Sequence, residues 1–290
     1  MTRNPNRKDF FFLFILGALW GSSFSAIKIA LSDVTPLSVM SFRIILAGIA
    51  LLSITLIRGS KFPVGINNWN KIFWMALLGT LMPFFLVPWG QRQIDSNLAS
   101  ILMAVNPLFA LILGHFFSKN ENFSLRKFIS ILVGFSGILL VFGENAFASN
   151  YGNIWAKLAV ILAGIGYTIS GVIATRMEDV SAESVTTSIF IFASAIILPF
   201  WIIIEKPWQI NLETESFLAL LHLGLVSTGM AFLMRYYIIL RAGAVFLSYV
   251  AFLIPMFGIF FGVFFLEESI SFNVFLAIIL ILLGVFIGRK

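Results

Sequence analysis

Residues 10–31 read FFFLFILGALWGSSFSAIKIAL, an apolar run of 22 residues in which Lys28 is the one charged side chain. An α-helix of this length spans about 30 Å, the thickness of the hydrocarbon part of a bilayer. The basic stretch before it, Met1–Lys8, resembles the start of a secretory signal. The run is too long for the core of a signal peptide, and no clear small-residue cleavage site follows. We therefore interpret it as a retained first transmembrane helix.

Nine further apolar runs follow, each bounded by charged residues, Gly or Pro. With the first run, the predicted spans are about 10–31, 36–57, 69–91, 97–117, 125–143, 154–175, 185–204, 216–239, 243–265 and 271–288. The runs are much longer than a barrel strand of about ten residues, and they do not alternate between polar and apolar positions. The pattern predicts an all-α integral membrane protein with ten transmembrane helices.

The composition excludes most soluble proteins. Apolar residues make up 60% of the chain and charged residues 11%, against about 25% charged in an ordinary soluble domain. The mean hydropathy is +1.01. Ten helices leave only short loops, so we expect a single membrane domain over residues 1–290 without a soluble catalytic domain. The absence of Cys excludes disulfides, thiol nucleophiles and thiolate metal sites.

The basic residues predict the orientation of the chain, because cytoplasmic loops of membrane proteins are enriched in Lys and Arg. With a cytoplasmic N-terminus, fourteen of the nineteen lie on that side: Arg3, Arg7, Lys8, Arg58, Lys61, Lys71, Lys119, Arg126, Lys127, Arg176, Arg235, Arg241, Arg289 and Lys290. The opposite side holds Arg92, Lys157 and Lys206. Both termini are therefore predicted to be cytoplasmic. Four tryptophans at span ends fit an interfacial aromatic belt: Trp69, Trp155, Trp201 and Trp208.

The two halves of the chain, residues 10–145 and 152–288, resemble each other. Three pairs of residues share one offset of 147, and a pair of prolines has an offset of 148: Glu121 with Glu268, Ser124 with Ser271, Gly137 with Gly284, and Pro107 with Pro255. Each half carries five spans. Because five is odd, the second half must enter the membrane from the opposite side, which predicts inverted repeats. Such repeats are typical of secondary transporters that bind their substrate near the middle of the membrane.

Several short motifs then resemble a known family. They are Trp20–Gly21–Ser22–Ser23–Phe24, Pro36 followed by Arg43, Pro107 with Glu121 and Gly134-x-x-Gly137, and Pro255 with Glu268 and Gly284. In this order they look like the EamA family of the drug/metabolite transporter superfamily, over essentially the whole chain. The resemblance implies a ten-helix carrier of the bacterial inner membrane, commonly an exporter of amino acids or other small metabolites. The chain departs from the family pattern at Trp89–Ile94, where a Tyr-x-Ala-Leu pattern is usual, and at Asn120, where a Gly is usual.

Candidate binding residues are the polar and aromatic side chains of the spans. They are Trp20, Ser23, Arg43, Trp89, Gln91, Asn106, Tyr167, Ser170, Tyr236, Tyr237, Ser248 and Tyr249. Trp20 and Tyr167 are predicted to lie near mid-depth in equivalent helices. Pro107 and Pro255 are predicted helix kinks, since each proline frees a carbonyl about one turn earlier. Such carbonyls must face protein or a wet cavity. Two freed carbonyls at matching depth favour a central cavity. The alternative is that the two kinks serve only the packing of helices.

Charged residues within the spans are few. Lys28 and Arg43 could hold a substrate carboxylate. The alternative is that Lys28 reaches the outer headgroups and that Arg43 caps helix ends inside the bundle. No Asp or Glu is predicted at mid-depth, so no carboxylate relay is visible. Two isolated histidines, His115 and His222, make a poor metal site, and bundle hydrogen bonds are the expected role for both.

The pattern favours a secondary transporter that exports an amino acid or a related amphipathic solute by alternating access. The alternative is a flippase-like carrier of a lipid or a lipid-linked precursor. An enzyme is disfavoured because the chain lacks a G-x-S-x-G elbow, a P-loop and paired intramembrane carboxylates. We expect no cofactor, metal or nucleic-acid partner. The expected partners are the bilayer and a small-molecule substrate, with a coupling proton or ion left open, and the expected state is a monomer or weak dimer.

Overall fold

A computed structural model describes residues 5–117, 124–147, 153–177, 180–257 and 272–287. Within these ranges the regular structure is helical, and no strand occurs. The helices are α1 (Arg7–Ala30), α2 (Pro36–Ile57), α3 (Ile66–Gln91), α4 (Ser96–Leu102 continuing to Asn106–Phe117), α5 (Leu125–Phe147), α6 (Ile154–Ala174), α7 (Ala182–Glu205), α8 (Thr214–Ala242), α9 (Ala244–Phe257) and α10 (Phe272–Ile287). Their bounds follow the predicted spans to within a few residues wherever the two can be compared.

Seven of the described helices are long and apolar enough to cross a membrane: α1, α2, α3, α6, α7, α8 and, from Leu98, α4. The chain is therefore an all-helical multi-pass membrane protein. The predicted end of the ninth span and the start of the tenth lie outside the described residues. So do the repeat markers Glu121, Glu268 and Ser271 and the loop position Asn120.

Side chains stabilise several helix ends because the first backbone N–H groups of a helix lack internal partners. Asn6 and Asp9 form a reciprocal capping box at the start of α1. Thr35 accepts a hydrogen bond from the backbone N–H of Ser38 at the start of α2. In the loop after α1, Asp33 accepts one from the N–H of Glu213, 2.8 Å away, just before α8. This bond lowers the pKa of the Asp33 carboxyl below its usual value.

Equivalent helices of the two halves pack against each other: α2 lies along α7, and α5 along α10. The contact of α3 with α6 has its counterpart in the contact of α8 with α1. Similarly, α2 contacts α8, and α7 contacts α3. These contacts are thus retained when each helix is replaced by the one five places along the chain. A two-fold relation between repeats predicts this property.

Two helices contain a wider π-helical turn at matching positions. In α3 it covers Leu77–Leu81, and in α8 it covers His222–Met230. Adding the repeat offset of 147 to the first segment gives 224–228, which lies inside the second. A π-turn leaves the regular i to i−4 bonding pattern and is frequent at functional sites. The sequence pattern predicts neither turn.

The aromatic belt prediction is wrong for one of its four tryptophans. Trp69, Trp155 and Trp208 are exposed on the protein surface near helix ends. Trp201 is buried instead, and its indole N–H donates to Ser38 Oγ at 2.9 Å. It therefore joins α7 to α2, because a buried indole needs an acceptor and Ser38 supplies one.

The contact between α5 and α10 depends on a close approach at Gly284. A Cβ atom there would lie 2.7 Å from the backbone nitrogen of Gly134 and 2.8 Å from the carbonyl oxygen of Ser130. These are backbone atoms, so the clash with an added methyl group can be relieved only if the two helices move apart. Small residues allow such close packing between membrane helices.

We expect Gly284→Ala to destabilise the protein by about 1–3 kcal/mol, the usual cost of overpacking a close-packed interface. The measurement is the unfolding midpoint of purified protein in detergent. Gly229→Ala is the matched control, because its added methyl would meet only ordinary contacts at 3.5 Å or more. Equal midpoints for both variants would contradict the close-approach argument.

Candidate functional site

A cavity lies between the helices, with side chains from α1, α2, α3, α4, α6, α8 and α9 in its walls. Its volume is about 90 Å³, counted as the space open to the centres of water molecules. That is room for several waters or a small solute. Both halves of the chain contribute to the walls, which are mainly apolar and aromatic. A few polar groups in such a lining are typical of a small-molecule site.

Six of the twelve candidate residues line this cavity: Trp20, Ser23, Arg43, Asn106, Tyr167 and Ser248. The other six, Trp89, Gln91, Ser170, Tyr236, Tyr237 and Tyr249, are not part of its lining. The lining also includes apolar residues of α9, among them Leu247, Val250 and Ile254. The fold thus brings together residues that are more than 200 positions apart in the chain.

Trp20 and Tyr167 line the same cavity, and both rings contact Phe232 of α8. The ring centroids are 5.9 Å apart for Trp20 with Phe232 and 6.5 Å apart for Tyr167 with Phe232. The Trp20 indole N–H donates to the carbonyl of Ser227 at 3.2 Å, within the π-turn of α8. In return, the Ser227 hydroxyl donates to the carbonyl of Leu19 at 2.9 Å. This pair of bonds holds α1 against the widened part of α8.

Arg43 is buried, with 4% of its surface exposed, and it lines the cavity. Its Nε donates to Thr228 Oγ1 at 3.1 Å, and its guanidinium lies over the Phe84 ring, 4.0 Å from the centroid. Among the described residues it has no acidic partner. Arg43 is thus oriented by α8 and α3 and reaches the cavity, an arrangement compatible with either role predicted for it.

Arg235 is the main residue that the sequence analysis missed. It was counted among the cytoplasmic charges, but it is 1% exposed inside α8 and lines the cavity. Its Nη2 donates to the Tyr167 carbonyl at 2.8 Å. Its Cζ lies between 5.2 and 5.4 Å from the ring centroids of Tyr167, Phe232 and Tyr236. The sequence did contain a signal for it, because Arg235 lies inside the predicted span 216–239. On that ground it belongs with Lys28 and Arg43 among the charged residues within spans.

Asn106 of α4 presents an unused acceptor. Its side-chain nitrogen contacts the sulfur of Met103 at 3.6 Å, whereas its Oδ1 is buried and has no hydrogen-bond partner within the described ranges. A buried amide oxygen without a donor is costly, by about 1–3 kcal/mol. Asn106 and Met103 both line the cavity, whereas the Oδ1 atom packs against Gly164 of α6 and leaves no room there for a Cβ atom.

Five of the six candidates outside the cavity lining form side-chain hydrogen bonds elsewhere. Gln91 is fully buried and donates to the carbonyl of Phe24 at 3.0 Å, and Lys28 donates to the Gln91 carbonyl at the same distance. Lys28 thus binds the C-terminal end of α3 while its side chain stays exposed, and its reach to the outer headgroups stays a prediction. Ser170 and Tyr236 contact each other through their hydroxyls, 3.3 Å apart.

The two other tyrosines outside the lining also join helices or helix turns. Arg241 donates to the Tyr237 hydroxyl one turn away on α8. The Tyr249 hydroxyl lies 3.1 Å from Ser130 Oγ, which itself donates to the Gly284 carbonyl at 2.7 Å. Tyr249 therefore links α9 to the interface of α5 with α10. Trp89 packs partly buried against an apolar cluster that includes Phe24.

The prolines lie next to the cavity, although the lining does not include them. The carbonyl that Pro107 frees belongs to Met103, and the backbone N–H of Asn106 binds it within the 3₁₀ turn Met103–Val105. The helix thus satisfies that carbonyl locally, while Met103 itself lines the cavity. Pro255 is buried in α9, and the residue four positions before it, Ala251, also lines the cavity.

His222 forms bundle hydrogen bonds, as expected. Its Nε2 lies 2.9 Å from Ser22 Oγ and 3.0 Å from Ser227 Oγ. The three side chains therefore join α1 to the π-turn of α8, beside the bond from Trp20. No group of three potential metal ligands occurs in the part of the chain that the structure describes.

Comparison with known proteins is consistent with this architecture. Residues 8–143 and 151–288 each match the EamA-like transporter family. The chain belongs to this family. The two matched segments correspond closely to the two halves predicted from the internal offset. The family is one of transporters, and the many apolar helices agree with membership in it.

Among its relatives is the uncharacterized transporter YoaV of Bacillus subtilis (strain 168), 24% identical over 271 residues, which cover 93% of this chain and 92% of the relative. An uncharacterized transporter of Archaeoglobus fulgidus is 24% identical over 280 residues, which cover 97% of this chain and 98% of the relative. One crystal structure of a protein 20% identical to this chain superposes with a TM-score of 0.76 and covers 97% of both chains. This last likeness shows the fold alone.

Proposed function

We propose that the protein is a secondary transporter of the bacterial inner membrane that moves a small metabolite. In this proposal ten transmembrane helices form two inverted five-helix repeats, residues 10–145 and 152–288, with both termini in the cytoplasm. Support comes from the family match over both halves, the retained contact pattern and the bias of basic residues. Secondary transporters with inverted repeats bind substrate at the repeat interface.

The central cavity is the observation that carries the proposal. Its walls come from both halves, and indole, phenol, amide and guanidinium groups face a space large enough for a small solute. In the proposed cycle the halves rock about this cavity, so that it opens alternately to each side. The π-turns of α3 and α8 are candidate sites of adjustment, because they interrupt regular hydrogen bonding in helices of both halves.

The substrate proposed is an amino acid or a related amphipathic solute, moved outward. Apolar and aromatic walls suit an apolar side chain, and the few polar groups suit a charged or hydrogen-bonding head. The chain would do this as a monomer or weak dimer and without catalysis. A carrier of lipid or a lipid-linked precursor would need an opening toward the bilayer that admits acyl chains.

The decisive experiment uses purified protein reconstituted into liposomes and loaded with a mixed pool of amino acids and other metabolites. We expect exchange or efflux of one or a few small solutes, identified by mass spectrometry, and thermal stabilisation by the same solutes. Protein-free liposomes are the control. Transbilayer movement of labelled lipid without movement of any soluble metabolite would favour the lipid carrier instead.

Thiol labelling tests the proposed orientation, since the chain has no Cys of its own. Asn211→Cys, in the loop before α8, is expected to react with a membrane-impermeant maleimide in intact cells. Asn67→Cys, at the start of α3, should react only after the cells are opened. Both positions are exposed and polar, so the two variants are matched. The reverse labelling pattern would invert the proposed topology.

A further inference from the structure

The charge of the central cavity indicates the class of its occupant. Arg43 and Arg235 are the two charged residues of its lining in the part of the chain that the structure describes, and both are more than nine-tenths buried. Neither has an acidic partner among the described residues. Buried charges are normally paired or bound to a ligand, because transfer of a charge from water into a low-dielectric interior is costly.

The hydrogen bonds of Arg235 are incomplete. Its Nη2 donates to the Tyr167 carbonyl, whereas its Nε and Nη1 are buried and have no partner among the described residues. Three aromatic rings surround the guanidinium and stabilise a cation without accepting its N–H groups. A charged donor left without an acceptor costs more than a neutral one. The described residues therefore leave two N–H groups of a buried cation without an acceptor.

We propose that the cavity binds a small organic acid, with its carboxylate between Arg43 and Arg235 and an N–H or O–H group directed to Asn106. The proposal rests on the proposed transport function and names the chemical class of its substrate. Guanidinium groups bind carboxylates through charge-assisted, often paired hydrogen bonds. Asn106 belongs to the same lining, and its side-chain amide can form a hydrogen bond with an amino or hydroxyl group of the solute.

The two arginines come from different halves of the chain. Arg43 lies on α2 in the first half, and Arg235 lies on α8 in the second. An anion bound to both would therefore link the two halves directly. It would also offset the charge of two buried cations that have no acidic partner among the described residues. A solute with a net negative charge offsets the positive charge of the two arginines better than a zwitterion does. Dicarboxylates should therefore bind more tightly than neutral amino acids.

The first test uses unmodified, purified protein and pairs of solutes that differ only in charge. The probes are succinate with succinamide and benzoate with benzamide, measured by calorimetry and thermal stabilisation. At least one acid should bind about tenfold or more tightly than its amide, because the amide cannot pair with both guanidinium groups. Equal or tighter binding of the amides, or binding of neutral solutes alone, would overturn the proposal.

The second test uses variants. Arg235→Gln and Arg43→Gln should each weaken binding of the acid about tenfold or more and leave binding of its amide nearly unchanged. Arg235→Lys keeps the positive charge but lacks the planar guanidinium that forms two parallel hydrogen bonds. Its affinity for the acid should lie between those of the unmodified protein and of Arg235→Gln. Arg241→Gln is the matched control, since it removes a charge from the same helix at an exposed position outside the cavity. Selectivity for the acid that survives in both cavity variants would also overturn the proposal.

The outcomes separate this inference from the transport function. If liposomes move a neutral solute and no acid binds or competes, the charge class is wrong and the transport function stands. If no solute of the mixed pool moves, the transport function fails. The binding preference for acid over amide, measured without a membrane gradient, still decides the charge class.

Discussion

Phe232→Ala is expected to destabilise the protein by about 3 kcal/mol. This is the low end of the range for Phe to Ala in a packed core. The low end applies because the helices of a membrane protein separate into lipid or detergent rather than into water. Exposure of an apolar side chain then costs less, and the loss is mainly one of packing contacts. Phe232 is 1% exposed, and its ring contacts those of Trp20, Phe84, Tyr167, Phe190 and Tyr236. No other described ring has as many aromatic neighbours, so the lost contacts and the empty space should both be large.

The measurement is the unfolding free energy or midpoint in detergent, together with the ligand affinity of the folded fraction. Affinity should also fall, because Phe232 contacts both Trp20 and Tyr167 in the cavity wall. Phe200→Ala is the matched control: it lies on α7, its side chain is 56% exposed on the outer surface, and it should change stability little. Similar losses in the two variants would mean that Phe232 is not a packing centre.

Trp20→Ala and Tyr167→Ala are expected to weaken substrate binding about tenfold or more, which corresponds to ~1.4 kcal/mol, with a smaller effect on the amount of protein. Each removes an aromatic wall from the cavity, and aromatic walls supply large contact areas at little cost in side-chain entropy. Trp20 also positions α1 through its bond to the Ser227 carbonyl. Transport initial rates in liposomes, normalised to reconstituted protein, give the comparison.

Two further variants interpret the result for Trp20. Trp20→Phe keeps an aromatic wall but loses the indole N–H. A lower transport rate in this variant would therefore be due to the lost hydrogen bond to α8. Trp155→Ala removes a tryptophan that is 67% exposed at the start of α6 and serves as the control. Normal transport by both alanine variants of the cavity would mean that substrate binds elsewhere.

The helices were predictable because a bilayer imposes a strong local rule: a spanning segment must be long, apolar and helical. That rule applies to each run separately, and the bounds of α1 and α2 differ from the predicted spans by a few residues at most. The offset of 147 also required no three-dimensional information, since it depends only on the positions of Glu, Ser and Gly along the chain. The family membership followed from short motifs in order.

The site was predicted in part. Trp20, Arg43, Asn106 and Tyr167 were named from their depth and chemistry, and the fold brings them to one cavity. Depth alone could not separate them from Ser170 or Tyr249, which lie in the same spans but contact other helices. Hydropathy gives the height of a residue in the membrane, whereas the direction of its side chain depends on how each helix is rotated and packed.

Arg235 shows what only the tertiary structure decided. From the sequence it is a basic residue close to a helix end, a position that normally reaches the cytoplasmic surface. In the fold, Tyr167 of α6 accepts its hydrogen bond and three rings surround it, so it remains inside the protein. The sequence by itself determined the membrane class, the helices, the repeat and the family, because these depend on composition and order along the chain. The cavity, its two buried cations and the π-turns depend on contacts between helices far apart in sequence, and only packing in three dimensions decides those.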